Sequence, residues 1–118
     1  MDESVSTAEK RAAAIRAAVR AIKRGSFLSY GEVARRAGLP GRARLVGQVL
    51  RESGDAPKLP WHRVTAAGGR IAFPAGSASA RRQLQRLARE GVETRGNRAV
   101  VKRSAAGARS LDALLWKL

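Results

Sequence analysis

Ile15, Ala18, Val19 and Ile22 recur every three or four positions along a charged, alanine-rich stretch, which is the period of one buried helix face. Ser6 followed by Glu9 is a capping-box pair that satisfies two of the amides left open at a helix start, and Gly25 supplies the stop. The spacing predicts a first helix over 8–24. The same box returns at Ser29 and Glu32 and begins a second, short helix, with Val33, Ala34 and Ala37 as its inner face and Gly38 as its end. Leu39-Pro40-Gly41 breaks the chain. Beyond it, Ala43, Val46, Gly47 and Leu50 fall on one side of a third helix that ends near Ser53-Gly54. Two short helices joined by a Gly/Pro turn predict a helix-turn-helix.

From Asp55 to Pro60 the pattern is extended and broken by proline, and residues 61–73 alternate in short β-type runs around Gly68-Gly69, predicting a hairpin or wing. Phe73-Pro74-Ala75-Gly76-Ser77 reads as a loop. A helix over 79–90 follows, with Ala80, Leu84, Leu87 and Ala88 as its apolar stripe, Arg81, Arg82, Arg86 and Arg89 around it, and Gly91 as its end. Val92-Glu93-Thr94 and Ala99-Val100-Val101 flank a turn at Arg95-Gly96-Asn97, which predicts a second hairpin. Ser104 to Ser110 is a small-residue linker, and Leu111 to Leu118, with Leu114, Leu115 and Trp116, is expected to dock as a short helix. The expected fold is mainly α with small β hairpins: a winged-helix-like, helix-turn-helix domain over 8–103. A tail at 1–7 precedes it, and an extension at 104–118 follows and docks on it.

Charge adds a partner. Lysine and arginine number 24 against nine acids, and a net charge of +15 opposes compaction unless a polyanion relieves it, so nucleic acid is the expected ligand. A packaged basic protein, ribosomal or similar, or arginine enrichment from a GC-rich genome, is the alternative. Arg44, Gln48 and Arg51 stand at i, i+4 and i+7 of the third helix, on a face that its apolar stripe does not use. That face can meet DNA or can simply be solvated. The chain has no cysteine, which excludes disulfides, cysteine-ligated zinc and a thiolate nucleophile; a single histidine among scattered acids leaves no metal site or cofactor to expect. The Met-Asp-Glu-Ser start lacks the basic and apolar regions of a signal peptide, and no apolar run approaches the length of a bilayer span. A cytoplasmic monomer, associated with the nucleoid when bound to DNA and without a membrane partner, is the expectation.

Three runs carry a resemblance: SYGEVA at 29–34, ARLVGQVL at 43–50 and PWHRV at 60–64. In that order and spacing, over roughly residues 8–91, the chain strongly resembles the DNA-binding domain of the O6-alkylguanine-DNA alkyltransferases, whose corresponding pentapeptide is PCHRV. Trp61 stands where that family has its acceptor cysteine, and the replacement is the hallmark of alkyltransferase-like proteins. The chemistry agrees. Direct removal of an O6-alkyl group needs in-line attack by a thiolate, which a neighbouring histidine generates by taking the proton; an indole cannot make that attack at neutral pH. His62 is thus a base without its nucleophile, left to order the pocket. Trp61 offers a broad apolar face for a damaged base, the other reading being a simple core tryptophan.

The resemblance implies roles for single residues. Tyr30 matches a tyrosine that rotates the target phosphate, and Arg44 matches an arginine that fills the stack after the nucleotide leaves. Pro60, Trp61, His62 and Val64 match the pocket strand, and Ser77 matches a loop serine near the O6 position. Arg63 is expected to be tied to backbone or an acid, and Glu90 to hold His62. Arg42, Ala43, Arg44, Gly47, Gln48 and Arg51 form the implied DNA-binding set, with minor-groove entry of the third helix. Arg42 and Leu45 depart from the small residues of the family there, Ser53 stands for its asparagine, and Phe73-Pro74 stands where some alkyltransferase-like proteins have an arginine. The implied function is recognition of O6-alkylguanine in double-stranded DNA by nucleotide flipping, without catalysis, and flagging of the lesion for nucleotide excision repair proteins. Two rivals remain: a winged-helix transcription regulator reading sequence in the major groove, and an enzyme, either a residual transferase or a glycosylase, for which no nucleophile or paired acid and lysine is evident.

Overall fold

The computed structural model describes residues 6–54 and 58–101, so the expected extension at 104–118 and its docking lie outside the described residues. Helix α1 spans Thr7–Arg20 and starts on the expected box: Ser6 Oγ accepts from the Glu9 amide at 3.0 Å, and Glu9 Oε1 accepts from the Ser6 amide at 3.2 Å. It stops short of the expected 24. The Ile22 amide turns back to the Val19 carbonyl at 3.0 Å, and the Ile22 carbonyl accepts from Arg63 Nη1 at 2.8 Å, so the chain leaves the helix to serve a tertiary contact. Ile22 is still buried.

Strand β1 (Leu28–Ser29) leads directly into α2 (Tyr30–Arg36), again on a complete capping box between Ser29 and Glu32. Helix α3 (Ala43–Ser53) packs on α2 to complete the helix-turn-helix. Its buried residues are Val46 and Val49, and these join Ile15, Val19, Ile22, Val33, Ala34, Leu59 and Val64 in the first core. The stripe read from the sequence is shifted by the structure: Ala43, Gly47 and Leu50 line a cavity instead.

The hairpin expected at 61–73 does not form. Trp61–Arg63 is one turn of 3-10 helix, and β2 (Val64–Thr65) pairs in parallel with β1, with Leu28 opposite Val64 and Ser29 opposite Thr65. Ala67–Gly69 is a second 3-10 turn, and Arg70 then makes an antiparallel bridge with Arg98. The second hairpin does form where expected, as β3 (Glu93–Arg95) antiparallel to β4 (Arg98–Val100). Gly69 lies against it with φ +83, and a Cβ there would overlap the Ala99 carbonyl oxygen, so only glycine fits the conformation and the approach.

Helix α4 (Ala78–Arg89) buries Ala80, Gln83 and Leu87, while Ala88 of the expected stripe is exposed. Ile71, Ala80, Leu87, Val92 and Ala99 make a second core, with Phe27, Phe73 and Leu84 packed against it. Among the described residues no helix is long and apolar enough to cross a membrane.

Candidate nucleic-acid interface

A cavity of about 960 Å³ opens between the two cores. Helix α3 contributes Ala43, Arg44, Gly47, Gln48, Leu50 and Arg51; Tyr30 comes from the start of α2; Trp61, Val64, Ala72 and Phe73 come from the central segment; Ser79, Arg82 and Gln83 come from α4. The three polar residues of the i, i+4, i+7 series thus share one face, as their spacing predicts, and that face looks into the cavity. Gly47 faces the Tyr30 ring, and a Cβ there would meet its Cε1 at 3.9 Å, an ordinary contact. Burial raises the Tyr30 phenol pKa against the opposing Arg51 charge, so at neutral pH its hydroxyl keeps a proton to donate.

Trp61 is aimed by its backbone. Pro60 has φ −79 and ψ 67, and the Trp61 amide donates to the Leu59 carbonyl at 2.8 Å, which is an inverse γ-turn on a residue whose ring fixes φ. Phe73 meets the indole edge-on, at 6.3 Å between ring centres and 86° between planes. The Arg86 guanidinium lies 5.3 Å from the ring centre in a cation–π contact. The indole Nε1 is buried without a hydrogen-bond partner among the described residues.

Behind Trp61 runs a chain of hydrogen bonds. His62 Nε2 lies 2.8 Å from Glu90 Oε2, and the same carboxylate accepts from Arg63 Nε at 3.0 Å, Arg63 Nη2 at 2.8 Å and the Gly25 amide at 3.2 Å. Burial alone would raise the Glu90 carboxyl, but the bonds from Arg63, His62 and Gly25 outweigh it and bring its pKa down to about 2. An ionised carboxylate only accepts, so His62 carries its proton on Nε2 and leaves Nδ1 bare, buried and without a partner among the described residues. Burial also holds the imidazole below its ordinary pKa against the pull of Glu90, which keeps it neutral at pH 7. Gln83 Nε2 ties the segment down from α4, donating to the carbonyls of His62 at 3.0 Å and Val64 at 2.8 Å.

Several residues named from the sequence stand away from the cavity lining. Pro60 shapes the turn, His62 faces Glu90, and Arg42 is the exposed residue that precedes α3. Ser77 caps α4, its Oγ accepting from the Ala80 amide at 3.2 Å, and Ser79 is the α4 serine that reaches the cavity. Tyr30, Ala43, Arg44, Gly47, Gln48, Arg51, Trp61 and Val64 are brought together. Leu50, Phe73, Ser79, Arg82 and Gln83 join them without having been named as site residues. Gln83 left a signal, since a polar side chain at i+3 from Ala80 and i−4 from Leu87 interrupts a core stripe. Among the described residues no group of three or more His, Asp or Glu side chains could hold a metal ion.

Fold and site together define a helix-turn-helix protein with a large, mostly apolar cavity beside its second helix and an aromatic residue where a reactive group could stand. The family described as 6-O-methylguanine DNA methyltransferase, DNA binding domain, matches residues 10–92. Alkyltransferase-like protein 1 of Schizosaccharomyces pombe is 43% identical over 76 residues, covering 64% of this chain and 70% of that protein. A DNA base-flipping protein of Vibrio parahaemolyticus is 40% identical over 77 residues, covering 65% of this chain and 75% of that one. The crystal structure of S. pombe Atl1 in complex with damaged DNA containing O6-carboxymethylguanine superposes with a TM-score of 0.68 at 36% identity, over 85% of this chain and 90% of that one. The chain belongs to the 6-O-methylguanine DNA methyltransferase DNA-binding-domain family, in its alkyltransferase-like branch.

Proposed function

We propose that this protein recognises O6-alkylguanine in duplex DNA by turning the nucleotide out of the stack into the cavity beside Trp61, and holds it there without removing the alkyl group. The observation that carries the reading is Trp61 itself. It lines the cavity immediately ahead of His62, which faces Glu90 behind the wall, so the site presents an indole in place of a thiol. The similarity to an alkyltransferase-like protein bound to DNA with an O6 adduct and to a base-flipping protein supports the same reading.

In this scheme Arg42, Arg44 and Arg51 meet the backbone and the groove, Ala43 and Gly47 let α3 approach closely, and Tyr30 donates its hydroxyl to the phosphate being turned. Arg44, long and permanently charged, fills the gap in the stack. Trp61, Phe73 and Val64 receive the base, with Gln48 and Ser79 as polar neighbours; Pro60 and His62 set the shape of the site. Extrusion costs a few kcal/mol, and less for a base already mispaired by its adduct, so the lesion helps to select itself. The held, distorted lesion then serves as a flag for nucleotide excision repair proteins.

The test is a titration of one duplex with and without O6-methylguanine, followed by analysis of the recovered base. Tighter binding of the modified duplex, with the methyl group and the glycosidic bond intact after incubation, is expected. Trp61→Ala should erase the preference and leave affinity for unmodified DNA unchanged. Equal affinity of the wild type for both duplexes would overturn the reading in favour of a sequence-reading regulator, and loss of the methyl group would overturn it in favour of an enzyme.

A further inference from the structure

Three arginines stand in a row across the C-terminal ribbon. Arg95 and Arg98 are register partners in the β3–β4 pair, and Arg98 makes a further antiparallel bridge with Arg70. Residues directly opposite one another in an antiparallel ladder project to the same face, with Cβ atoms about 4.5–5.5 Å apart. All three arginines are exposed, while their neighbours Ile71 and Ala99 are buried in the second core. Like charges in such positions destabilise a ladder. Within the ribbon one carboxylate answers them, Glu93, which pairs with Arg95 at 2.9 Å.

The row borders a groove of about 440 Å³, and Ala72 and Phe73 line both that groove and the larger cavity. The two sites are therefore separated by one length of backbone. A concentration of guanidinium groups that costs the free protein stability is matched to an anion with repeated charges and several acceptor oxygens, and planar guanidinium groups suit phosphate oxygens in particular. Strands β3 and β4 lie beyond residue 92, outside the segment matched by the family.

We propose that Arg70, Arg95 and Arg98 form a second contact with the phosphodiester backbone of duplex DNA, next to the pocket, which anchors the strand carrying the displaced nucleotide. The proposal rests on the larger cavity being the seat of that nucleotide. Such a contact positions the strand and reads no sequence, so it acts alike on damaged and intact DNA.

Arg98→Thr, Arg70→Gln and Arg98→Lys, titrated against the same duplex with and without O6-methylguanine over a series of salt concentrations, test it. Each neutral variant should weaken binding to both duplexes by the same factor and reduce the magnitude of the log K against log salt slope by about 0.9, the value of one phosphate contact. The preference for the modified duplex should be unchanged, and Arg98→Lys should keep the wild-type slope. In the absence of DNA, Arg98→Thr should melt at or above the wild-type temperature, because it removes like-charge repulsion. Arg70→Gln, on an isolated bridge, carries the binding test if Arg98→Thr melts early. Neutral variants with wild-type slope and affinity would overturn the proposal. Equal wild-type affinity for the two duplexes would defeat the lesion reading while leaving the slope comparison, and so the row, to be judged by itself.

Discussion

Glu90 holds together three stretches that are distant in the chain, through Gly25, through His62 and Arg63, and through its own place at the end of α4. Its side chain is 5% exposed, so the carboxylate works in a medium where a lost partner is expensive. Glu90→Gln should lower stability by about 3 kcal/mol, since breaking a buried ion pair strands the Arg63 guanidinium, and urea melts at neutral pH check it. The pH dependence has one sign. Glu90 falls from 4.5 to about 2 on folding, and the His62 pKa falls below 6.5, so both groups bind fewer protons folded than unfolded. Their contributions are complete above those unfolded values and are lost as pH falls, His62 first from about 6.5 downward, Glu90 between 4.5 and about 2. Urea midpoints measured from pH 8 to pH 3 should therefore drop on the acid side, and Glu90→Gln should flatten the fall below pH 4.5. A Glu90→Gln curve parallel to the wild type down to pH 3 would contradict this assignment.

The C-terminal hairpin acts on the cavity through one side chain. Asn97 Nδ2 donates to the Phe73 carbonyl at 3.0 Å and the Ile71 carbonyl at 3.3 Å, and the Asn97 carbonyl accepts from the Ile71 amide at 2.8 Å. This pins the wall that brings Phe73 edge-on to Trp61. Asn97→Ala should cost about 2 kcal/mol, at roughly 1 kcal/mol per hydrogen bond, and should reduce discrimination between modified and intact duplex more than it reduces affinity for the intact one. Gly69→Ala, which combines a positive φ with overlap on Ala99, should destabilise more than Asn97→Ala in the same melts. These contacts mark the limit of what was legible from the sequence. Elements with local signals were readable: the boxes at Ser6 and Ser29 start α1 and α2, and Arg95-Gly96-Asn97 turns the second hairpin. The segment 61–73 was not, because Val64–Thr65 is too short to show a period and finds its partner in Leu28–Ser29, far back in the chain. Gln83 was legible in position but not in partners: its interruption of the α4 stripe marks a buried polar group, and the sequence does not say what it bonds. It occupies a core position by bonding two carbonyls of the pocket segment, which lies about twenty residues earlier in the chain. The position of Trp61 could be read from its pentapeptide, but the return of Phe73 onto its edge depends on the hairpin bridge and could not.

At the scale of the whole molecule, a net charge of +15 makes added salt act in two opposite directions. Salt screens self-repulsion, so the melting temperature of the free protein should rise between low and moderate ionic strength. Salt also removes the advantage of counterion release, so affinity for DNA should fall over the same range, with a log–log slope of about −0.9 per phosphate neutralised. Calorimetry of the free protein and anisotropy titrations with DNA read the two trends; a melting temperature that falls with salt would mean that fixed ion pairs, rather than net charge, govern the fold. The parallel β1–β2 pair has a further consequence for how the parts act together. Ser29 immediately precedes Tyr30, and Thr65 lies four residues past Trp61, so two rungs of ladder rivet the segment that carries Tyr30 to the segment that carries Trp61. A nucleotide has a bounded covalent reach from its phosphate to the outer edge of its base, and under the proposed function the folded frame sets the gap into which that length must fit. In the proposed function the domain acts as a calliper, and what it measures is how far a purine extends beyond its natural rim.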